Sequence, residues 1–137
     1  MRLLAVHDRS EQEIRSRLAA QGVSASIVNA TIRRLQELHY LDDRRFACGA
    51  AESAARRGHG SERVRAELAA KGVAESLIDA ALHAAFADET ELARRALHRR
   101  YPSEPRQPAE RARAARQLLR QGFPEAVVAA ILAEEFC

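Results

Sequence analysis

The chain has 137 residues, of which 47% are apolar and 30% are charged, and its formal net charge is +3. This length leaves room for about one domain with a sizeable core. The sequence holds no run of roughly 18 apolar residues, as a membrane span needs, and no segment with the form of a signal peptide, so we expect a cytoplasmic protein without membrane contact.

The cysteines and histidines predict neither a disulfide framework nor a metal site. Cys48 and Cys137 have no partner at ligand spacing, and the five histidines are scattered along the chain. No set of side chains has the spacing of a catalytic centre. We therefore expect a protein that is not an enzyme and that carries no cofactor and no metal.

The first predicted elements are a short apolar stretch and a pair of helices. The stretch Arg2–Val6 is only a stub of a helix. Ser10 and Glu13 have the spacing of a capping box, which predicts the start of the first full helix. Gly22 is expected to end that helix in the left-handed conformation, and a second helix starts near Ser24.

The middle of the chain predicts three further helices. Asp42 or Asp43 can cap a helix that runs to Arg57; the two carboxylates lack a third ligand, so capping explains them better than a metal site. The segment Arg57–Gly60 breaks the chain, and its two glycines indicate a turn rather than a phosphate-binding loop. A helix pair then covers Ser61–Phe86.

The last third repeats this order. Asp88 and Glu91 have the spacing of a second capping box at the start of a helix. Three prolines break the chain between Tyr101 and Pro108. The final helix pair is predicted from about Ala109 to Phe136.

Glycines 50 residues apart show that the helix pairs are copies of one unit. When the chain is aligned on these glycines, apolar positions coincide without an insertion, and we predict that the leucines among them are equivalent core positions. The aligned glycines and leucines are Gly22, Gly72 and Gly122, with Leu18, Leu68 and Leu118. The sequence therefore predicts an all-α fold of three tandem three-helix repeats, the first truncated at its N-terminus. The predicted units span residues 1–39, 40–87 and 88–137 and together form one domain.

Two stretches carry a resemblance to a known family. They are Tyr40–Ala47 and Arg57–Leu68, the second closing with Lys71–Val73, and shorter matches lie in units one and three. On these residues the chain resembles the RecX family of bacterial recombination regulators. The resemblance implies a curved, elongated monomer that associates with RecA filaments on DNA and usually lowers recombinase activity. Because the net charge is only +3, we expect at most weak, salt-sensitive contact with DNA itself.

Arginines near the junction of units two and three are the candidate partner-binding residues. The candidates are Arg57, Arg63, Arg65, Arg95 and Arg99. Each one alone is explained as a solvated charge, but repeated units place equivalent faces on the same side of an array. The apolar stripe of its helix places Arg95 and Arg99 one turn apart on the opposite side, so we predict one shared basic surface that contacts the filament.

Two other functions fit parts of the sequence. The segment Glu11–Leu35 has the order helix, glycine turn, helix, with Arg33 and Arg34 in the second helix, as in a helix-turn-helix DNA-binding protein. The second helices of units two and three have almost no exposed basic or amide side chains for reading bases. A general helical adaptor fits the repeat but leaves the two matching stretches unexplained.

Overall fold

The computed structural model describes residues 10–38 and 41–135, which form eight α-helices and no strand. The predicted stub Arg2–Val6, and with it the truncated first helix of unit one, lies outside the described residues. No helix in the described part is long and apolar enough to cross a membrane. The helices are α1 (Glu11–Ala20), α2 (Ala25–Glu37), α3 (Asp43–Arg56), α4 (Ser61–Ala70), α5 (Glu75–Ala85), α6 (Glu89–Arg100), α7 (Pro108–Arg120) and α8 (Glu125–Glu135).

The glycine turns confirm the register of the repeat. Gly22, Gly72 and Gly122 have φ angles of 82°, 80° and 100°. After each glycine, the next backbone N–H donates to the carbonyl of the aligned leucine four residues before that glycine, at 3.1–3.2 Å. This bonding pattern is the Schellman motif, which satisfies carbonyls at the end of a helix and turns the chain toward the next one.

Three apolar clusters lie along the chain, one for each helix group. Leu68 and Leu118 are only 2% exposed, as predicted for core positions. The prediction is wrong for Leu18, which is half-buried. In the second and third groups, α3 and α6 pack over the following helix pair, whereas no described helix covers α1 and α2 in this way. As a result, α1 has no fully buried residue.

The separate clusters leave a large surface in contact with water. The chain exposes 8645 Å², whereas a compact monomeric protein of 15.2 kDa exposes about 7,100 Å². The extra surface is what several small clusters in a row produce. The unit limits 1–39, 40–87 and 88–137 stay a prediction.

Capping residues start three of the helices, largely as the sequence predicts. Ser10 and Glu13 form both bonds of the capping box. Asp42 accepts hydrogen bonds from two backbone N–H groups in the first turn of α3. Asp88 accepts from the N–H of Glu91, but the second bond of the predicted box is not described, because the Glu91 carboxylate pairs instead with arginines one turn further along.

The joint between the first and second helix groups consists of hydrogen bonds to the start of α1. The Ser10 hydroxyl donates to the carbonyl of Lys71, in the turn between α4 and α5. The backbone N–H of Glu11 donates to the Asp43 carboxylate at 2.8 Å. Two N-terminal helix groups that lack partners within α1 are therefore held by the next unit.

The joint between the second and third groups repeats this arrangement at the start of α4. The backbone N–H of Gly60 donates to the carbonyl of Gln121 at 2.8 Å. Ser61 donates from its N–H and its hydroxyl to the two carboxylate oxygens of Glu89, both at 2.7 Å. Gly60 and Gln121 lie 50 residues after the pair that forms the first joint, so the joint repeats together with the helices.

Glycines let the backbones approach at both joints. A Cβ atom on Gly72 would lie 2.4 Å from Cβ of Gln12, and one on Gly122 would lie 2.3 Å from Cβ of Arg63. Gly60 has an ordinary φ of −95°, and a Cβ there would lie 2.3 Å from the backbone of Gly122. The predicted role of Gly60 as a turn residue is therefore incomplete, since close packing across the joint is what excludes a side chain.

We expect that Leu68→Ala lowers the free energy of unfolding by about 2–5 kcal/mol, because it removes a buried side chain and leaves a cavity. Urea unfolding followed by circular dichroism measures this change. Leu119→Ala is the matched control, since Leu119 is 43% exposed and its loss should cost less than about 1 kcal/mol. Equal costs for the two variants would contradict the core assignment.

A second prediction concerns Asp43 at the first joint. Burial is the main cause that raises the pKa of Asp43, and the carboxylates of Glu11 and Asp42 raise it further. Because the folded pKa exceeds the unfolded value, stability falls as the pH rises through the raised pKa. Asp43→Asn keeps an oxygen acceptor without this charge, so its stability relative to the wild type should increase from about pH 3 to about pH 7.

Urea unfolding at both pH values tests this. Asp43→Ala, which leaves the N–H of Glu11 without its acceptor, is the control and should cost about 1–3 kcal/mol. A stability difference between Asp43→Asn and the wild type that does not change with pH would disprove the prediction.

Candidate functional site

Three arginines from two units meet at the second joint. Arg57 follows the last residue of α3, and Arg99 and Arg100 end α6. Gly58 has a φ of 83° and no side chain, so Nη1 of Arg99 reaches a point 3.3 Å from where a Cβ of Gly58 would lie. The glycine thus permits the α6 side chain to cross the joint toward Arg57.

These arginines line an open cleft of about 190 Å³, which we name the arginine cleft. It is lined by Arg57, Gly58, Ala96, Arg99, Arg100, Gln117 and Gln121. No carboxylate is among the lining residues, so the guanidinium charges are not neutralised within the cleft. Like charges this close repel each other, and an anion placed among them would be attracted.

Arg95 lies one turn from Arg99, outside the cleft. Its side chain is 66% exposed and its Nε atom lies 3.4 Å from a carboxylate oxygen of Glu91, a weak surface ion pair. A second hollow, of about 410 Å³, lies between them and is shared with Arg94 and His98. The structure therefore brings Arg57, Arg95 and Arg99 to one region of the surface.

The two remaining candidates have other partners. Arg63 lies at the same joint, with its Cβ against Gly122, and its guanidinium pairs with Glu67 at 3.2 Å. Arg65 does not line the cleft: it pairs with Glu75 at 2.6 Å and with Asp79 at 2.8 Å, both on α5. Its charge is therefore neutralised within its own helix pair, which the sequence pattern could not reveal.

A histidine beside the cleft responds to the same positive charges. Burial lowers the pKa of His59, and the neighbouring charges of Arg63 and Arg57 lower it further. A depressed folded pKa keeps the imidazole neutral at neutral pH. His59 therefore adds no positive charge to this region under physiological conditions.

Three residues of the cleft are absent from the sequence-predicted set. Arg100 belongs to the basic run that ends α6, which was a usable signal. Gln117 and Gln121 are uncharged and lie one turn apart on α7, so only the joint reveals that they face the arginines. The Oε1 atom of Gln121 is buried and has no hydrogen-bond partner.

The described residues offer no alternative site for a metal. None of them forms a group of three or more histidine, cysteine, aspartate or glutamate side chains that could hold an ion. The carboxylates at Asp42 and Asp43 act in capping and at the first joint.

Comparison with known proteins identifies the family of this repeat. Residues 42–82 match the family model of the second three-helix domain of RecX, and residues 1–35 match that of the first. The chain belongs to the RecX family. A regulatory protein RecX from Salmonella paratyphi A is 34% identical over 134 residues, covering 90% of this chain and 81% of that protein. One from Chromohalobacter salexigens is 38% identical over 123 residues, with the same coverage.

Two crystal structures of RecX proteins are similar to this one. A regulatory protein RecX has a TM-score of 0.72 and 26% identity over 90% of this chain, which spans 63% of that protein's chain. RecX from Lactobacillus salivarius has a TM-score of 0.71 over 93% of this chain and 85% of its own, at 20% identity, and this likeness shows the fold alone. The predicted all-α repeat fold of the family is confirmed.

The different partners of Arg65 and Arg99 predict different effects on folding. Arg65→Gln should lower the free energy of unfolding by about 0.5–1 kcal/mol, because it removes two ion pairs between α4 and α5. Arg99→Gln should change it by less than about 0.5 kcal/mol or raise it, since it removes one of several like charges. Urea unfolding of both variants measures this. A larger loss for Arg99→Gln would mean that this arginine supports the fold.

Proposed function

We propose that this protein is a non-enzymatic regulator that binds RecA filaments on DNA as a cytoplasmic monomer and, in the direction usual for the resemblance, lowers recombinase activity. Membership of a family whose members are named regulatory proteins supports the general class. The observation that supports a binding role most directly is the arginine cleft, in which three guanidinium groups meet without a carboxylate.

The chemistry of arginine suits such a filament. A guanidinium group donates two parallel hydrogen bonds to a carboxylate or a phosphate, and both groups are present where a protein is assembled on DNA. The arginine cleft and the exposed Arg95 together offer several such groups within one region. Because the residues that line the cleft come from two units, binding there depends on the intact joint.

Direct reading of DNA bases is the alternative function. In the helix-turn-helix arrangement the second helix would enter the major groove. In unit two this helix is α5, whose exposed side chains include Asp79 and His83 but no arginine, and Asp79 is already paired with Arg65. Only α2 exposes a basic pair, Arg33 and Arg34. One such helix favours filament binding over base reading as the main activity.

The functional test reverses two charges at the candidate surface. Arg95→Glu with Arg99→Glu should weaken filament binding about tenfold, at roughly 0.7 kcal/mol for each arginine, and should reduce inhibition of strand exchange. Helix content and melting temperature should stay nearly unchanged, because surface pairs contribute little to folding. The measurements are co-sedimentation with RecA assembled on single-stranded DNA and strand exchange, each at two salt concentrations.

The matched control is Arg33→Glu with Arg34→Glu, which changes the net charge equally on exposed residues of α2. It should bind filaments almost as the wild type does. Undiminished binding by the Arg95 and Arg99 variant would place the functional surface elsewhere. Loss of binding in the Arg33 and Arg34 variant alone, together with equally strong binding to DNA without RecA, would favour the helix-turn-helix function.

A further inference from the structure

The turn between α1 and α2 lacks the neighbour that its two copies have. Lys71–Gly72 and Gln121–Gly122 each receive the start of a helix from the preceding unit. At one, the Ser10 hydroxyl donates to the first carbonyl of the turn. At the other, the backbone N–H of Gly60 does so. We name the equivalent turn of unit one, Gln21–Gly22, the open turn.

The open turn has the same backbone but nothing packed on it. Gly22 has a φ of 82°, and Val23 donates to the carbonyl of Leu18 at 3.1 Å, as in the other two units. No atom of the described residues outside the turn lies within 4 Å of the point where a Cβ of Gly22 would be. Among those residues no donor bonds to the carbonyl of Gln21. Val23 is half-buried, whereas its equivalents Val73 and Phe123 are buried.

We propose that the open turn is a docking site for the start of an α-helix of the filament protein. This inference rests on the proposed function. The two internal joints define the chemistry of the occupant: a small capping residue, as Ser10 and Gly60 are, donates to the first carbonyl of the turn, and the next helical turn passes over the glycine. The positive end of the arriving helix then faces the negative, carbonyl end of α1.

A second copy of this chain does not supply the required helix start. Position 60 plus 50 is Glu110, but α7 begins three residues earlier, after Gln107. Its first turn is already helical, with the N–H of Arg111 bonded to the carbonyl of Gln107 at 2.9 Å. The starts of α1 and α4 are occupied at the two joints. The occupant is therefore a different protein.

The same substitution at two turns separates docking from folding. Gly22→Asn should fold normally, because asparagine tolerates the left-handed conformation and no described atom obstructs its side chain. It should bind RecA filaments on single-stranded DNA at least about tenfold more weakly than the wild type. Gly72→Asn should instead lower the urea midpoint, since its side chain would collide with Gln12. Ala133→Asn, an exposed change on α8, is the control for binding.

Photo-crosslinking provides a second measurement that needs no loss of binding. A benzophenone side chain at the exposed position 21 should attach to a RecA peptide that contains the first turn of a helix, and one at position 133 should not. A wild-type chain that does not bind filaments overturns the proposed function and this inference together. Wild-type binding that Gly22→Asn leaves unchanged, or crosslinks only to DNA or to the middle of an element, overturns this inference alone.

Discussion

The close approach of a helix start to a glycine turn is the contact on which the rest of the structure depends. The units have small cores of their own, so their relative placement is decided where the backbone of one unit donates to carbonyls of the next. Gly60 and Gly122 permit this contact at the second joint, because any Cβ atom there would overlap the opposite backbone. Hydrogen bonds of this kind fix distance and direction together, which apolar packing alone does not.

The candidate site is a consequence of that joint. Arg57 and Arg99 belong to different units, and their distance in the sequence says nothing about their proximity. The joint brings them together, and Gly58 lets the Arg99 side chain cross between the units. Since no carboxylate lines the cleft, repulsion among its arginines works against the joint, and the backbone hydrogen bonds of Gly60 and Ser61 offset it.

Residues of one type take different roles in this structure. Arg65 and Arg99 both lie on helices rich in arginine, and their sequence neighbourhoods do not separate them. Arg65 is paired with two carboxylates of α5, whereas Arg99 faces other arginines. A charge that is neutralised by its own unit contributes little to binding, so the functional surface is smaller than the set of arginines from which it is drawn.

The sequence by itself determined the local structure and the repeat. Capping residues and the glycines at 22, 72 and 122 act within one or two helical turns, so their effects follow from spacing, and the resemblance on Tyr40–Ala47 indicated the family. Tertiary structure decided which copies of an aligned position are buried and which arginines meet. Leu18 is less buried than Leu68 because burial depends on a covering helix. Gln121 joins the arginine cleft because hydrogen bonds between units, which no local pattern records, determine what lies opposite each side chain.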